Sequence, residues 1–268
     1  MKSLLKIKNR FHELCFWRRF GNFFEIALRS LASKYLMVGL YDLESGPVIV
    51  DRAAADPNGI WGCLYWWEYG AALKPLDAFF KNHRPIGVLD CGANIGGFRL
   101  LLAQMGIEFR EYHAVEMNPR TCGRLAFNLT NWKNHVPAKI YNAAVADCSG
   151  WVENPDVFGS DSQSLYGPPM KAKRSVRVPK IPLNHLLYRS AWESAQPELL
   201  KLDIEGAEFD AIQTLDSDAL SGTSAIIIEI HDNRSQEAEF LVKYLELLSF
   251  KCISNPIGEW GVYTFLRS

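Results

Sequence analysis

The 268 residues suit one large domain, or one domain with an extension, and a hydrophobic content of 48% is enough for a sizeable core. A formal charge of −1 gives no global basic field, so no nucleic-acid partner is expected. The six cysteines show neither a C-x-x-C pair nor metal-ligand spacing, which fits a reducing, cytoplasmic setting. No stretch approaches the roughly 18 uninterrupted apolar residues of a membrane span, and Lys6, Lys8 and Arg10 interrupt any signal-peptide core.

Residues 1–35 read as a basic amphipathic helix. Phe20, Phe23, Phe24, Ala27, Leu28 and Leu31 make its apolar stripe, and its lysines and arginines outnumber Glu13 and Glu25. Such a segment suits peripheral contact with an anionic membrane, or, more simply, a helix packed on the domain with its basic face in water. Pro47 to Asp51 reads as a short strand, and Asp56-Pro57-Asn58-Gly59 is a turn. An aromatic cluster follows at Trp61, Tyr65, Trp66, Trp67 and Tyr69, suited to core filling or to an acceptor-facing wall. Residues 1–60 are thus expected to form a helical extension and linker, and 61–268 the main domain.

Leu73 to Phe80 leads as a helix into the stretch Ile86 to Leu102, the centre of the chain. Ile86, Val88 and Leu89 read as a buried strand ending at Asp90, and Phe98, Leu101, Leu102 and Met105 mark one face of a helix. Gly92, Gly96 and Gly97 fill the turn between them. A dinucleotide fingerprint would place a second glycine at Asn94, where backbone must touch a pyrophosphate. An asparagine there disfavours NAD and suits a ligand without phosphates, such as S-adenosylmethionine (SAM).

Glu111 to Glu116 gives the second strand, and Glu116 offers two acceptor oxygens to a ribose diol. Asn118 with Pro119 begins a helix whose buried face is Cys122, Leu125, Ala126 and Leu129. Ala138 to Val145 is the expected third strand, with Ala146-Asp147 beyond it as neighbours for an adenine ring. Periodicity then weakens to about Pro182, apart from strand-like alternation over Ser175 to Val178; this stretch suits a flap over the substrate or a surface excursion. Leu199 to Ile204 is the fourth strand and Ala225 to Ile230 the fifth. Asp203, Glu205, Glu229, His231 and Asp232 therefore arrive at carboxyl ends of strands, where ligands bind in doubly wound sheets. Glu208 is expected to face solvent. Asn233 caps a helix with Gln236 in the capping-box place, and Lys251 to Leu266 reads as a hairpin closed by Asn255-Pro256-Ile257-Gly258. The predicted fold is α/β and Rossmann-like, of the class I methyltransferase type: a mostly parallel seven-stranded sheet with a C-terminal antiparallel hairpin.

At this point the chain resembles the FkbM family of SAM-dependent methyltransferases. The matching segments are VLDCGANIGGF (Val88 to Phe98), VEMNPRTCGRLAFNL (Val115 to Leu129), AAVADCSG (Ala143 to Gly150), LLKLDIEGAEFDAI (Leu199 to Ile212) and IIIEIH (Ile226 to His231). Cys91 stands where the family more often has a small aliphatic residue. The resemblance implies O-methylation of a hydroxyl on a sugar, glycan or other small acceptor, with SAM as donor. It implies a donor site of Asp90, Gly92, Asn94 and Gly96 around the methionine end, Glu116 on the ribose, and Ala146 with Asp147 at the adenine.

A sugar hydroxyl is a poor nucleophile at neutral pH, so a general base is needed. His231 is the expected base, with Asp203 and Glu205 orienting it or the acceptor; a hydrogen-bonded histidine at a strand end is the plainer alternative. A divalent metal on Asp203, Glu229, Asp232 and Asn233 is a competing mechanism, not favoured because oxygen ligands alone specify no geometry. An NAD-dependent oxidoreductase and a non-catalytic SAM-binding scaffold are the other function classes considered.

Overall fold

The computed structural model describes residues 18, 20–26, 38–54, 56–66, 69–132, 136–155, 175–231, 237–254 and 261–268. Most of the amphipathic segment, Trp67, residues 156–174 of the expected flap, Asp232, the Asn233–Gln236 capping box and the Asn255–Gly258 turn lie outside them. Of the expected N-terminal stripe, Phe20 is buried against Tyr41 and Phe24 is exposed. No described helix is long and apolar enough to cross a membrane.

The chain begins with an antiparallel hairpin of β1 (Val38–Leu43) and β2 (Gly46–Asp51). Next come α1 (Asp56–Trp61), a π-helical turn over Gly62–Trp66, α2 (Gly70–Leu73) and α3 (Asp77–Asn82). The α/β core then runs β3 (Ile86–Cys91), α4 (Gly97–Gln104), β4 (Phe109–Val115), α5 (Pro119–Asn131) and β5 (Ala138–Tyr141). A small excursion follows: β6 (Ala144–Ala146), β7 (Gly150–Pro155) and β8 (Ser175–Pro182), then α6 (Leu183–Leu187). The core resumes with β9 (Leu199–Leu202), α7 (Glu208–Gln213), β10 (Ala225–Ile230), α8 (Glu237–Leu247), β11 (Phe250–Ser254) and β12 (Gly261–Arg267).

Seven strands form the main sheet in the order β11-β12-β10-β9-β3-β4-β5, with β12 antiparallel to both its neighbours and the rest parallel. All six residues of β3 are buried, as a strand covered on both faces requires. One face carries α4, α5 and the segment before β3; the other carries α6, α7 and α8. The strand sequence leaves β3 toward β4 on one side and returns to β9 on the other. That reversal opens a crevice above the carboxyl ends of β3 and β9.

Local signals explain most boundaries. Asn118 caps α5 by accepting from the backbone N–H of Arg120 (2.9 Å) and Thr121 (3.2 Å), with Pro119 at the first helical position. Pro75 breaks the expected Leu73–Phe80 helix into α2, a 3₁₀ turn and α3. Two strands are shorter than expected. The third stops at Tyr141 because Asn142 turns back, its side chain donating to the carbonyls of Glu116 (2.9 Å) and Met117 (3.1 Å); residues 144–146 then pair with β8 in a separate sheet. The fourth stops at Leu202, and Asp203 begins a loop. Residues 38–60 also do more than link: Val48 and Val50 are fully buried in the same apolar cluster as Ile86 and Val88, so the core runs across position 60.

The hairpin is tied to the core by Asn128 of α5. Its Oδ1 accepts from the N–H of half-buried Ile49 at 2.7 Å, and its Nδ2 donates to the carbonyl of buried Ile95 at 2.9 Å. Asn128→Ala strands the buried Ile95 carbonyl and takes the partner from the half-buried Ile49 N–H. Urea denaturation should show a loss of about 2–3 kcal/mol; a loss within experimental error would show that the tie contributes nothing.

Candidate active site

A cavity of about 390 Å³ opens at the carboxyl ends of β3, β4, β9 and β10, under a roof of Gly59, Cys63 and Tyr69. Its donor-like side is built by the loop after β3. Gly92 has φ +76°, and a Cβ there would lie 1.6 Å from the Asp203 carbonyl oxygen, so this position admits no side chain. Asn94 also has positive φ, which asparagine tolerates better than most residues. Its backbone N–H donates to Glu116 Oε2 at 3.0 Å. Its Oδ1 is buried at the cavity wall with no hydrogen-bond partner among the described residues.

Glu116 closes β4 with both oxygens fixed: Oε1 accepts from the Asn118 N–H at 2.7 Å, and Oε2 takes the Asn94 bond. Each oxygen keeps a second lone pair for a ligand. Burial pushes its carboxyl up to about 7, against the pull of those two amides.

Lys201 joins this side to the next. It is buried in β9 with its Nζ 2.8 Å from the Gly92 carbonyl, 3.3 Å from Asp90 Oδ1 and 3.2 Å from Asp203 Oδ2. Burial opposes its charge, but Asp203 and Asp90 outweigh that and hold its pKa well above the ordinary lysine value. Asp203 is likewise held below the usual carboxylate range despite burial, chiefly by Lys201.

The far side is a ring of acids around one imidazole. His231 Nε2 lies 3.5 Å from Glu205 Oε2, 3.8 Å from Glu229 Oε1 and 3.9 Å from Asp203 Oδ1. Its Nδ1 lies 3.1 Å from Glu208 Oε1. Burial works against a charge on His231, but the Glu208 hydrogen bond and the charges of Glu208, Glu205 and Asp203 raise it to about 9. Glu205 is pushed up to about 7 by burial, against the pull of His231.

The cavity thus brings together six of the expected site residues: Gly92, Asn94, Glu116, Asp203, Glu205 and His231. Four others stand elsewhere. Asp90 is fully buried beneath the floor, accepting from the Tyr112 hydroxyl at 2.5 Å and facing Lys201. Gly96 supplies the left-handed turn that starts α4, where a Cβ would meet the Trp132 ring at 2.8 Å. Ala146 is buried in β6, and Asp147 is exposed, 3.9 Å from Lys180. Because the chain leaves the main sheet at Asn142, Ala143 to Val145 line the cavity instead. Glu208, expected in solvent, is buried; its carboxylate accepts from the N–H groups of Ile204 and Gly206, both at 2.9 Å.

Sequence reasoning passed over Lys201 as a site residue and left Tyr69 within an undifferentiated aromatic cluster. A lysine in an otherwise apolar buried strand was a usable signal for the first. Nothing local marked the second.

A family model for the methyltransferase FkbM domain matches residues 90–252, from the end of β3 into β11. The chain belongs to the FkbM methyltransferase family. The FkbM match contains the Gly92–Asn94 turn, Glu116 and the whole acidic ring, whereas the roof precedes it. No curated protein matches the sequence. Among solved structures the fold is similar to methyltransferase FkbM from Methylobacillus flagellatus KT, with 16% identity over 68% of this chain and a TM-score of 0.47. The chain spans 43% of that protein's length. It is also similar to a ribosomal protein L11 methylase from Lactobacillus delbrueckii subsp. bulgaricus, at 13% identity over 75% of this chain and 79% of that one, TM-score 0.42. TYW2 of M. jannaschii, in complex with AdoMet, gives 15% identity over 87% of each chain, TM-score 0.39.

An ionised Glu116 would accept from both hydroxyls of a ribose diol, and protonation would turn one of its oxygens into a donor and weaken that pairing. Calorimetry should show SAM affinity falling below pH 7, by up to about tenfold per unit. Glu116→Gln should bind more weakly and show a flat pH dependence; an unchanged affinity in that variant would contradict the assignment.

Proposed function

We propose that the protein is a SAM-dependent O-methyltransferase acting on a hydroxyl of a sugar, glycan or glycolipid-like acceptor, in a cytoplasmic or membrane-peripheral setting. The observation that carries this reading is one cavity with two dissimilar ends. A phosphate-free nucleoside cradle (Gly92, Asn94, Glu116) meets a ring of hydrogen-bond acceptors (Asp203, Glu205, Glu229).

The residues present fit SAM. Glu116 suits the diol, the unpartnered Asn94 oxygen suits the ammonium of the methionine end, and the side-chain-free Gly92 admits close approach. Ala143 to Val145 offer a small apolar surface for the adenine. When bound, SAM supplies an electrophilic methyl group on a cationic sulfur. An NAD reading gains nothing here, since Asn94 fills the position where a pyrophosphate needs bare backbone.

The chain's own task is to align an acceptor oxygen and remove its proton. His231 does not suit the base role expected from sequence. With a pKa near 9 it is an imidazolium at neutral pH, with Nδ1 committed to Glu208. Glu205 takes that role instead: it lines the cavity and titrates near 7, close to working pH. The acceptor proton passes to its carboxylate, while His231 holds the neighbouring acids in place.

The same charge argument bears on the metal alternative. Single ligand atoms of Asp203, Glu205 and His231 lie within 4.8 Å of one another, but the imidazolium already supplies the central positive charge. Prolonged EDTA treatment should therefore leave the rate unchanged; abolition restored by Mg²⁺ would reverse this choice.

Methyl transfer from labelled SAM to a panel of sugars and glycolipids, with products identified by mass spectrometry, tests the reaction class. O-methyl products are expected, with rate falling below about pH 7 as Glu205 protonates and above about pH 9 as His231 loses its proton. Glu205→Gln should lower turnover by about 100-fold or more. Tight SAM binding with no transfer to any hydroxyl, and wild-type behaviour of Glu205→Gln, would favour a non-catalytic scaffold.

A further inference from the structure

Tyr69 stands in the roof, immediately before α2, and is buried. Its ring packs edge-on against Phe98 of α4 at 5.2 Å. Its hydroxyl donates to Asp203 Oδ2 at 2.7 Å and lies 3.1 Å from Glu229 Oε2. These two carboxylates belong to different strands, one just past β9 and one inside β10. They lie 134 and 160 residues from the tyrosine in sequence.

The three-way contact constrains both acids. Lys201 Nζ reaches the same Asp203 oxygen at 3.2 Å, so Oδ2 faces two donors and Oδ1 is the oxygen nearer His231. Glu229 is oriented in the same sense, with Oε2 toward the phenol and Oε1 toward His231 at 3.8 Å. Two carboxylates on adjacent strands repel, and a shared donor between them reduces that repulsion. Lys201 Nζ lies 5.5 Å from the centroid of the Tyr69 ring, Cys63 also neighbours the phenol, and Glu205 and His231 line the cavity beyond the acids. Burial and the two anions hold the phenol well above its ordinary pKa, so it remains a donor throughout the working range.

We propose that Tyr69 is a positioning residue for methyl transfer, holding Asp203 and Glu229 so that their remaining oxygens face His231 and the acceptor. The roof over the donor and the acceptor-side acids are thereby one mechanical unit. This rests on the reading of the cavity as a methyl-transfer site, and it adds that the segment N-terminal to the FkbM match completes that site.

Tyr69→Phe tests this while keeping the ring and its Phe98 contact. The first readout needs no substrate: proton NMR titration of the His231 ring, assigned by the signal lost in His231→Asn. The variant should titrate lower than wild type by about half a pH unit or more, because acids no longer held by the phenol turn their oxygens away from the imidazolium. SAM affinity should stay within about threefold while turnover falls about tenfold or more, the signature of alignment lost without donor binding lost.

An unmoved His231 titration overturns the proposal. So does SAM affinity falling in step with turnover, which would make Tyr69 a donor-binding residue. Collapse of the fold in this near-isosteric variant would assign the hydroxyl to stability and overturn it as well. Failure of wild-type protein to bind SAM would instead contradict the function proposed above, and the substrate-free titration reads separately from it.

Discussion

The site depends on one buried ammonium. Lys201 lies opposite Asp90 in the β3–β9 register, and its Nζ gathers Asp90, Asp203 and the Gly92 carbonyl around a single charge. Burying such a group is unfavourable by several kcal/mol per ion unless its partners are complete. Here two carboxylates and a backbone oxygen supply them. The consequence is geometric: the loop after β3 and the loop after β9 are drawn together until Gly92 packs directly on the Asp203 backbone. The Gly92–Asn94 turn and Asp203 then share one wall of the cavity.

Beyond that clamp, the chain after β9 reverses through two residues of positive φ, Glu205 at +57° and Gly206 at +98°. The reversal brings Glu208 back under the loop, where it binds the loop's own N–H groups and fixes His231 by Nδ1. One carboxylate therefore organises both the backbone and the imidazole. The acids in the ring differ in character because their neighbours differ. Asp203, against Lys201, stays ionised, and Glu205, partly desolvated and crowded by Asp203, Glu229 and Glu208 with the imidazole opposing them, titrates near 7. Environment sorts chemically similar groups into separate roles.

Much of this was legible in the residues. Continuous apolar runs marked β3, β9 and β10, and the Asn118-Pro119 pair marked the start of α5, because those signals are local and physical. Strand ends carrying Asp203, Glu205 and His231 indicated the crevice, because parallel sheets bind ligands there. What was not legible depended on distant partners. The exit of the chain at Asn142 is set by carbonyls of the preceding βα turn, and for that reason Ala143 to Val145 line the cavity while Ala146 and Asp147 stand beyond it. Glu208 looked like an ordinary exposed helix residue until the reversal at Glu205 and Gly206 brought the loop over it. Asp90 reads as a donor ligand in sequence because the lysine that occupies it lies 111 positions away. Tyr69 was legible only as one of five aromatics suited to a core or an acceptor-facing wall, because the partners of its hydroxyl come from the far half of the chain.

The most direct measurement is a crystal structure with S-adenosylhomocysteine bound. It should place the ribose hydroxyls on Glu116, the amine at the Asn94 side-chain oxygen, and the sulfur directed toward Glu205, with Lys201 still joining the two loops. Electron density for the nucleoside outside this cavity, or a reversed ligand with its adenine against the acidic ring, would contradict the account.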